Sequence, residues 1–347
     1  MRFYTKRHRY YCGVDLHASS MYICILDADG EILVHRNLKS RPEVFLAVLA
    51  PYRVDIVVAA ECVFTWYWLA DLCARENIAF VLGHALYMKA IHGAKTKNDR
   101  IDAQKIAMLL RGGMLHQAYV YPSAMRSTRD LLRRRLHLVR QRAQLLTHIR
   151  NTHYQYNLSE PTGRVASKAN RVGIAESFQD ASVRKRMEVN LALLAYYDNV
   201  IRELETYIGR LAQEHDSESL NLLHSIPGVG KILGLTILYE VHDIHRFPRV
   251  QNFASYARLI QCAKESSGKR VGTGGRKMGN AYLKWAFSEA AVLFLRGNPS
   301  GQRLLKKLER KQGKGKALST LAHKIGRATY YMLKRRTTFD VIRFMHA

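Results

Sequence analysis

The stretch Lys95 to Leu110, KTKNDRIDAQKIAMLL, constrains the fold more than any other part of the chain. Asn98 or Asp99 can cap a helix here, and Ile101, Ile106, Ala107, Leu109 and Leu110 follow at helical spacing. Asp99 and Asp102 are then one turn apart on one face. With Lys97 and Arg100 the cations nearest in sequence, two carboxylates so placed repel each other unless a cation sits between them. Mg²⁺ takes oxygen ligands of this kind, commonly one or two carboxylates completed by water and substrate phosphate. The plainer reading is that both acids favour the positive end of a helix.

The preceding residues decide which reading fits. Strands are predicted over Tyr11 to Asp15, Met21 to Leu26 and Ile32 to Leu38, with a turn at Asp27 to Gly30. A helix over Pro42 to Ala50 leads to the β-branched run Asp55 to Ala60, which ends on Glu61. Helix, strand and helix then follow over Trp66 to Glu76, Ala79 to Gly83 and His84 to Ile91. This order is what a ribonuclease-H-like sheet requires, and in such a sheet the first and fourth strands are neighbours. Asp15 and Glu61 would then face the helix that carries Asp99 and Asp102. Four converging carboxylates can hold two divalent ions roughly 3.5–4 Å apart.

Residues 123–217 are expected to form a basic coiled-coil region. Leu132, Leu136, Val139, Ala143 and Leu146 make one heptad seam, and Leu194, Tyr197, Ile201, Leu204, Ile208 and Leu211 make a second. The two helices can pair within one chain or between chains. Arg133, Arg134, Arg135, Arg140, Arg142 and Arg150 lie off the first seam and are read as backbone contacts to nucleic acid. The intervening Ser159 to Phe178 reads as a loop that orders on nucleic acid.

Residues 218–347 read as mainly helical. In SIPGVGKILGL, Pro227, Gly228 and Gly230 form a tight turn before a helix beginning near Lys231, resembling a helix-hairpin-helix phosphate contact. A helix is predicted over Val250 to Leu259. Lys264 to Lys284 combines five glycines with Lys269, Arg270, Arg276 and Lys277 and carries Ser266 and Ser267. It is expected to be a mobile cationic loop that binds phosphate, and a serine within it needs nearby cations or a metal to act as a nucleophile.

Lysine and arginine number 55 against 28 acids, a net charge of +27 spread through the chain, which implies a large polyanionic partner. No apolar run approaches the roughly 18 residues a membrane span needs. The basic N-terminus leads into a strand and not into a signal-peptide core. Five cysteines without CxxC spacing suggest neither a zinc site nor a disulfide framework, and a reducing compartment is expected.

GVD at Asp15, the strand-end Glu61, KNDRIDA, IPGVGK, FASYARL, SSGK and KMGNAYLK together resemble the DEDD-type insertion-sequence transposases, the bridge-RNA-guided recombinases. The resemblance spans about residues 10 to 340. It implies an α/β plus α protein: a RuvC-like domain over 1–122, the coiled-coil insertion, and a C-terminal transposase domain with a catalytic serine that aligns with Ser267, Ser266 being its rival. It further implies Mg²⁺ on Asp15, Glu61, Asp99 and Asp102, with Mn²⁺ as a substitute, and a phosphoserine-linked DNA strand. The implied partners are donor and target DNA, a non-coding bridge RNA and a tetramer of two dimers, in the bacterial cytoplasm. One departure is local: many relatives follow the glutamate with a glycine-containing turn, where this chain has Cys62-Val63-Phe64-Thr65-Trp66. The alternatives are a structure-specific endonuclease that uses water as its nucleophile and a non-catalytic nucleic-acid-binding protein of the same fold.

Overall fold

A computed structural model describes residues 3–91, 98–159, 163–274 and 278–346. The chain divides into two compact units, Met1–Ser123 and Ala124–Ala347.

The first unit is built on strands β1 (Tyr10–Leu16), β2 (Ser20–Asp27) and β3 (Ile32–Lys39), helix α1 (Pro42–Leu49), β4 (Ile56–Glu61), α2 (Trp66–Arg75), β5 (Ala79–Gly83), α3 (Ala85–Ile91) and α4 (Asp99–Arg111). The sheet order is β3-β2-β1-β4-β5. The β1/β2 and β2/β3 pairs are antiparallel, and β1/β4 and β4/β5 are parallel. This five-stranded mixed sheet is compatible with a ribonuclease-H-like layout.

Helices cover both faces, which is why β1 and β4 read as nearly unbroken apolar runs. Cys12, Val14 and Leu16 of β1 join Val58 and Ala60 of β4 in a core with Phe45 and Leu49 of α1 and Leu69 and Leu72 of α2. On the opposite face Tyr11, Val57 and Ala59 pack with Ile106, Leu109 and Leu110 of α4, while Cys24 and Leu26 meet Ala103 and Ala107. Gly13 makes this approach possible, because a Cβ there would run into the Ala103 carbonyl and the Ala107 backbone nitrogen. The glycine therefore fixes how closely α4 lies on the sheet.

The second unit contains α5 (Ser123–Gln155), α6 (Ala181–His224), α7 (Lys231–Val241), α8 (Val250–Tyr256), the hairpin strands β6 (Cys262–Ser266) and β7 (Lys269–Gly274), α9 (Ala281–Phe294), α10 (Pro299–Gln312), α11 (Lys314–Arg335) and α12 (Val341–His346). Arg142 pairs with Asp198 and Arg135 with Glu205, and Arg186 reaches Thr152, so α5 and α6 run antiparallel as partners within one chain. Leu132, Leu136, Leu194, Ile201 and Ile208 of the expected seams are buried, whereas Ala143 is exposed. Helical geometry breaks at Asp216, beside residue 217 where the coiled-coil region was expected to end, and the helix continues to His224.

Two segments differ from the sequence expectation. The connection between α5 and α6 is packed: Ile174, Ala175 and Phe178 join Ile149 and Met187 in a core, and Arg171 pairs with Asp198. The glycine-rich stretch expected as a mobile loop contains an antiparallel hairpin, with Ser266 opposite Lys269. Ser267 and Gly268 form its two-residue turn with φ of 51° and 73°, the positive values a tight hairpin turn of this type requires.

Candidate metal and nucleic-acid site

Three structural features bring the acids of the first unit together. Val14 of β1 pairs with Ala60 of β4, so the next residue on each strand, Asp15 and Glu61, stand side by side at the strands' ends. Strand alternation puts both on the face that α4 covers, the face of Gly13 and Ala59. Helix α4 runs antiparallel to β1, and its first turn lies at the end of β1 that carries Asp15. Asp99 and Asp102 precede the sheet-facing Ala103 and Ile106 by one helical turn. The acids thus continue the buried stripe of α4 past the edge of the apolar core.

The helix start is also settled. Asn98 is the N-cap, its side chain accepting the Ile101 N–H at 2.8 Å, which leaves both aspartates without capping duty. Their proximity to Asp15 is electrostatic as well as geometric. Burial raises the Asp15 pKa, the nearby His17 lowers it, and the Asp99 and Asp102 charges raise it further.

Among the described residues, Asp15, His17 and Asp99 form the cluster of potential ligands, with atoms within 4.8 Å of one another. His17 Nε2 lies 3.4 Å from Asp15 Oδ2 and 3.5 Å from Asp99 Oδ1. Asp102 Oδ1 lies 3.8 Å from Lys105 Nζ. Glu61 stands beside Asp15 by register and is outside the close cluster. His17 had no part in the sequence reading; its signal was its place two residues after Asp15, just past the end of β1. Asp15 and Asp99 offer carboxylate oxygens to a hard divalent cation, and mutual repulsion among the acids is what such a cation relieves.

The basic residues divide by environment. Lys97, Arg276 and Lys277 lie outside the described residues. Arg100 is exposed, and its carbonyl lies 2.9 Å from His35 Nε2. On α5, Arg134 is exposed, but Arg133 and Arg135 are committed within the protein to Glu240 and Glu205. The sequence reading gave all three to nucleic acid, and the structure leaves that role open chiefly to Arg134. Gly228 has φ of 85°, and a Cβ on it would meet the backbone of Leu293 and Phe294, so this glycine serves helix packing. Gly230 caps α7 without a side-chain hydrogen bond, and Lys231 opens the helix exposed to solvent. Lys269 flanks the serine turn, and Arg270 falls on β7.

A family model described as "Transposase", of the DEDD type associated with IS110, matches residues 12–157. A second, "Transposase IS116/IS110/IS902 family", matches residues 220–306. The chain is 25% identical over 334 residues to "Transposase for insertion sequence element IS1111A" of Coxiella burnetii, covering 94% of this chain and 90% of that protein. The chain belongs to the IS110 family of transposases. A further similarity, 29% over 143 residues, links it to "Insertion element IS110 uncharacterized 43.6 kDa protein" of Streptomyces coelicolor, covering 40% of this chain and 34% of that protein. The matched segments of this IS110-family transposase include both the acid cluster and the serine hairpin. No helix among its described residues is long and apolar enough to cross a membrane.

The raised Asp15 pKa has a consequence for stability. A carboxyl whose folded pKa exceeds its unfolded value binds its proton more tightly when folded, so its contribution favours folding at low pH and is lost as pH rises through the shifted range. Asp15→Asn is therefore expected to raise the melting temperature of the metal-free protein at neutral pH, with the advantage shrinking as pH falls below that range. Thermal melts of both proteins across pH 3–8, in roughly 1 mM chelator, check this. A variant less stable than wild type at every pH would contradict it.

Proposed function

We propose that this transposase cuts and rejoins DNA at the Asp15, Glu61, Asp99 and Asp102 site with Mg²⁺, using Ser267 as the nucleophile. The observation that carries the reading is the register that seats Asp15 beside Glu61 under the first turn of α4. The first unit is read as a RuvC-like, ribonuclease-H-like domain on the same ground. When bound, Mg²⁺ would supply charge stabilisation at the scissile phosphate. Asp15 and Asp99 would hold it, with Glu61 and Asp102 completing the acid set. His17, within reach of both aspartates, orients them through its ring nitrogen.

Ser267 is favoured over Ser266 by its place in the hairpin. It occupies the exposed apex with a positive φ, where asparagine or glycine is the more stable choice. A serine at an exposed hairpin apex is available for attack. Its hydroxyl oxygen would form the bond to phosphorus as the sugar oxygen leaves, giving a phosphoserine-linked strand. Lys269, directly across from Ser266, brings positive charge to the turn. The net charge of +27 suits a protein that clamps backbone while a paired bridge RNA reads donor and target sequence. A tetramer of two dimers is proposed as the active assembly.

The test is covalent trapping. Wild-type protein incubated with element-end DNA and Mg²⁺ should give a protein–DNA adduct that survives denaturation, and Ser267→Ala should abolish it while Ser266→Ala retains it. Cleavage by Ser267→Ala without an adduct would assign the attack to water and make the protein an endonuclease. Sequencing RNA that co-purifies with the protein tests the guide: structured RNA from the flanking non-coding DNA is expected, and bulk cellular RNA alone would remove it.

A further inference from the structure

Phe64 lies three residues beyond Glu61 and is 86% exposed. Burying an aromatic side chain removes about 150–250 Å² of surface from water, so leaving one outside forgoes a large stabilisation. The exposure is built in by its surroundings. Before it, the Cys62 N–H donates to the Gly83 carbonyl at 2.9 Å and the Val63 N–H to the Glu61 carbonyl at 2.8 Å. After it, the Thr65 hydroxyl donates to the Leu16 carbonyl at 2.9 Å, one residue past Asp15. Trp66 is then buried with Ala70 and Leu82. Held on both sides, the backbone presents Phe64 at the rim where β1 and β4 end, next to the acids.

We propose that Phe64 is a stacking post for an unpaired base of the nucleic-acid strand lying at the acid site. The inference rests on the nucleic-acid reading of that site but does not require cleavage. An exposed aromatic ring on a backbone anchored at both ends offers its face to any base, and such stacking is insensitive to sequence. A strand whose phosphate is held by the acid site has its neighbouring bases within a short distance of the Glu61 end of β4, where Phe64 stands. The loop places an apolar ring beside charged groups, a combination that suits a nucleotide better than an apolar protein surface. The side chain adds little to folding, because it touches solvent on most sides.

The test uses full-length protein and single-stranded oligonucleotides in which 2-aminopurine replaces one base at a time, with Ca²⁺ in place of Mg²⁺ so that the acids can hold a phosphate, and in about 0.3 M salt to suppress general phosphate binding. Wild type should give a position-specific change in fluorescence. Phe64→Ala should lose that change and bind about 5- to 150-fold more weakly, the range that stacking of one base on an aromatic ring supports. Phe64→Trp should retain both, Phe64→Leu should behave like alanine, and all three should melt as wild type does. Equal fluorescence and affinity in wild type and Phe64→Ala overturn the proposal. So does a leucine variant that performs like wild type, or an alanine variant altered only in sedimentation, which would make Phe64 a protein contact. A wild type that never cuts DNA but shows the Phe64-dependent signal would sink the recombinase reading and leave the post standing; cutting without the signal would do the reverse.

Discussion

Asp99→Asn is expected to lower metal-dependent strand cleavage about a thousandfold, or roughly 4 kcal/mol of transition-state stabilisation, within the several kcal/mol a catalytic cation contributes. The substitution keeps the shape of the side chain and removes its charge. It leaves helix α4 intact because the cap is Asn98, whose side chain holds the Ile101 N–H. It also leaves the packing of Ala103 and Ala107 on the sheet undisturbed, so lost activity cannot be ascribed to a displaced helix. Gel-based cleavage of labelled DNA over a Mg²⁺ titration, with melting curves beside it, measures the effect. A variant that cuts within threefold of wild type would move the chemistry away from these acids.

The second large effect concerns folding. Glu240, on α7, has a side chain only 1% exposed and accepts hydrogen bonds from Arg133 Nε at 2.6 Å, Arg133 Nη2 at 2.8 Å and Asn280 Nδ2 at 2.7 Å. Asn280 in turn caps α9 through the Tyr282 and Leu283 N–H groups, and the Arg133 guanidinium lies over the Tyr282 ring. One carboxylate thereby ties α5, α7 and the start of α9 together. Removing one partner of a buried ion pair leaves the others without compensation and costs about 3–5 kcal/mol. Arg133 is partly exposed and can recover some hydration, which places Glu240→Ala near the lower end, about 3 kcal/mol. For a unit of this size that is a fall of about 6–12 °C in melting temperature. Calorimetry checks it, and a fall under about 2 °C would show that Arg133 is not held as described. The same reasoning separates the α5 arginines: Arg133→Ala should act on stability, and Arg134→Ala on nucleic-acid affinity.

The strands of the first unit were legible because helices cover both sheet faces, giving β1 and β4 the continuous apolar runs that sequence patterns detect. The choice between Asn98 and Asp99 as cap was not, since both residue types cap helices equally well. The positive charge of α5 was plain, but its partners were hidden by distance: Asp198, Glu205 and Glu240 lie 56, 70 and 107 residues from the arginines they bind. The serine hairpin was obscured by its glycines. Their number reads as flexibility, whereas a Ser267-Gly268 pair between two short strands is the length that closes a tight hairpin. The sequence marked Gly228 as part of a tight turn but could not show that the backbone of Leu293 and Phe294 occupies the space of its missing Cβ.

Direct binding of Mn²⁺, followed by electron paramagnetic resonance, bears most closely on whether these carboxylates gather a cation. Wild-type protein should take up Mn²⁺ that Mg²⁺ displaces, and Asp15→Asn combined with Asp99→Asn should lose that uptake while remaining folded. Equal Mn²⁺ uptake by the folded double variant would contradict the assignment.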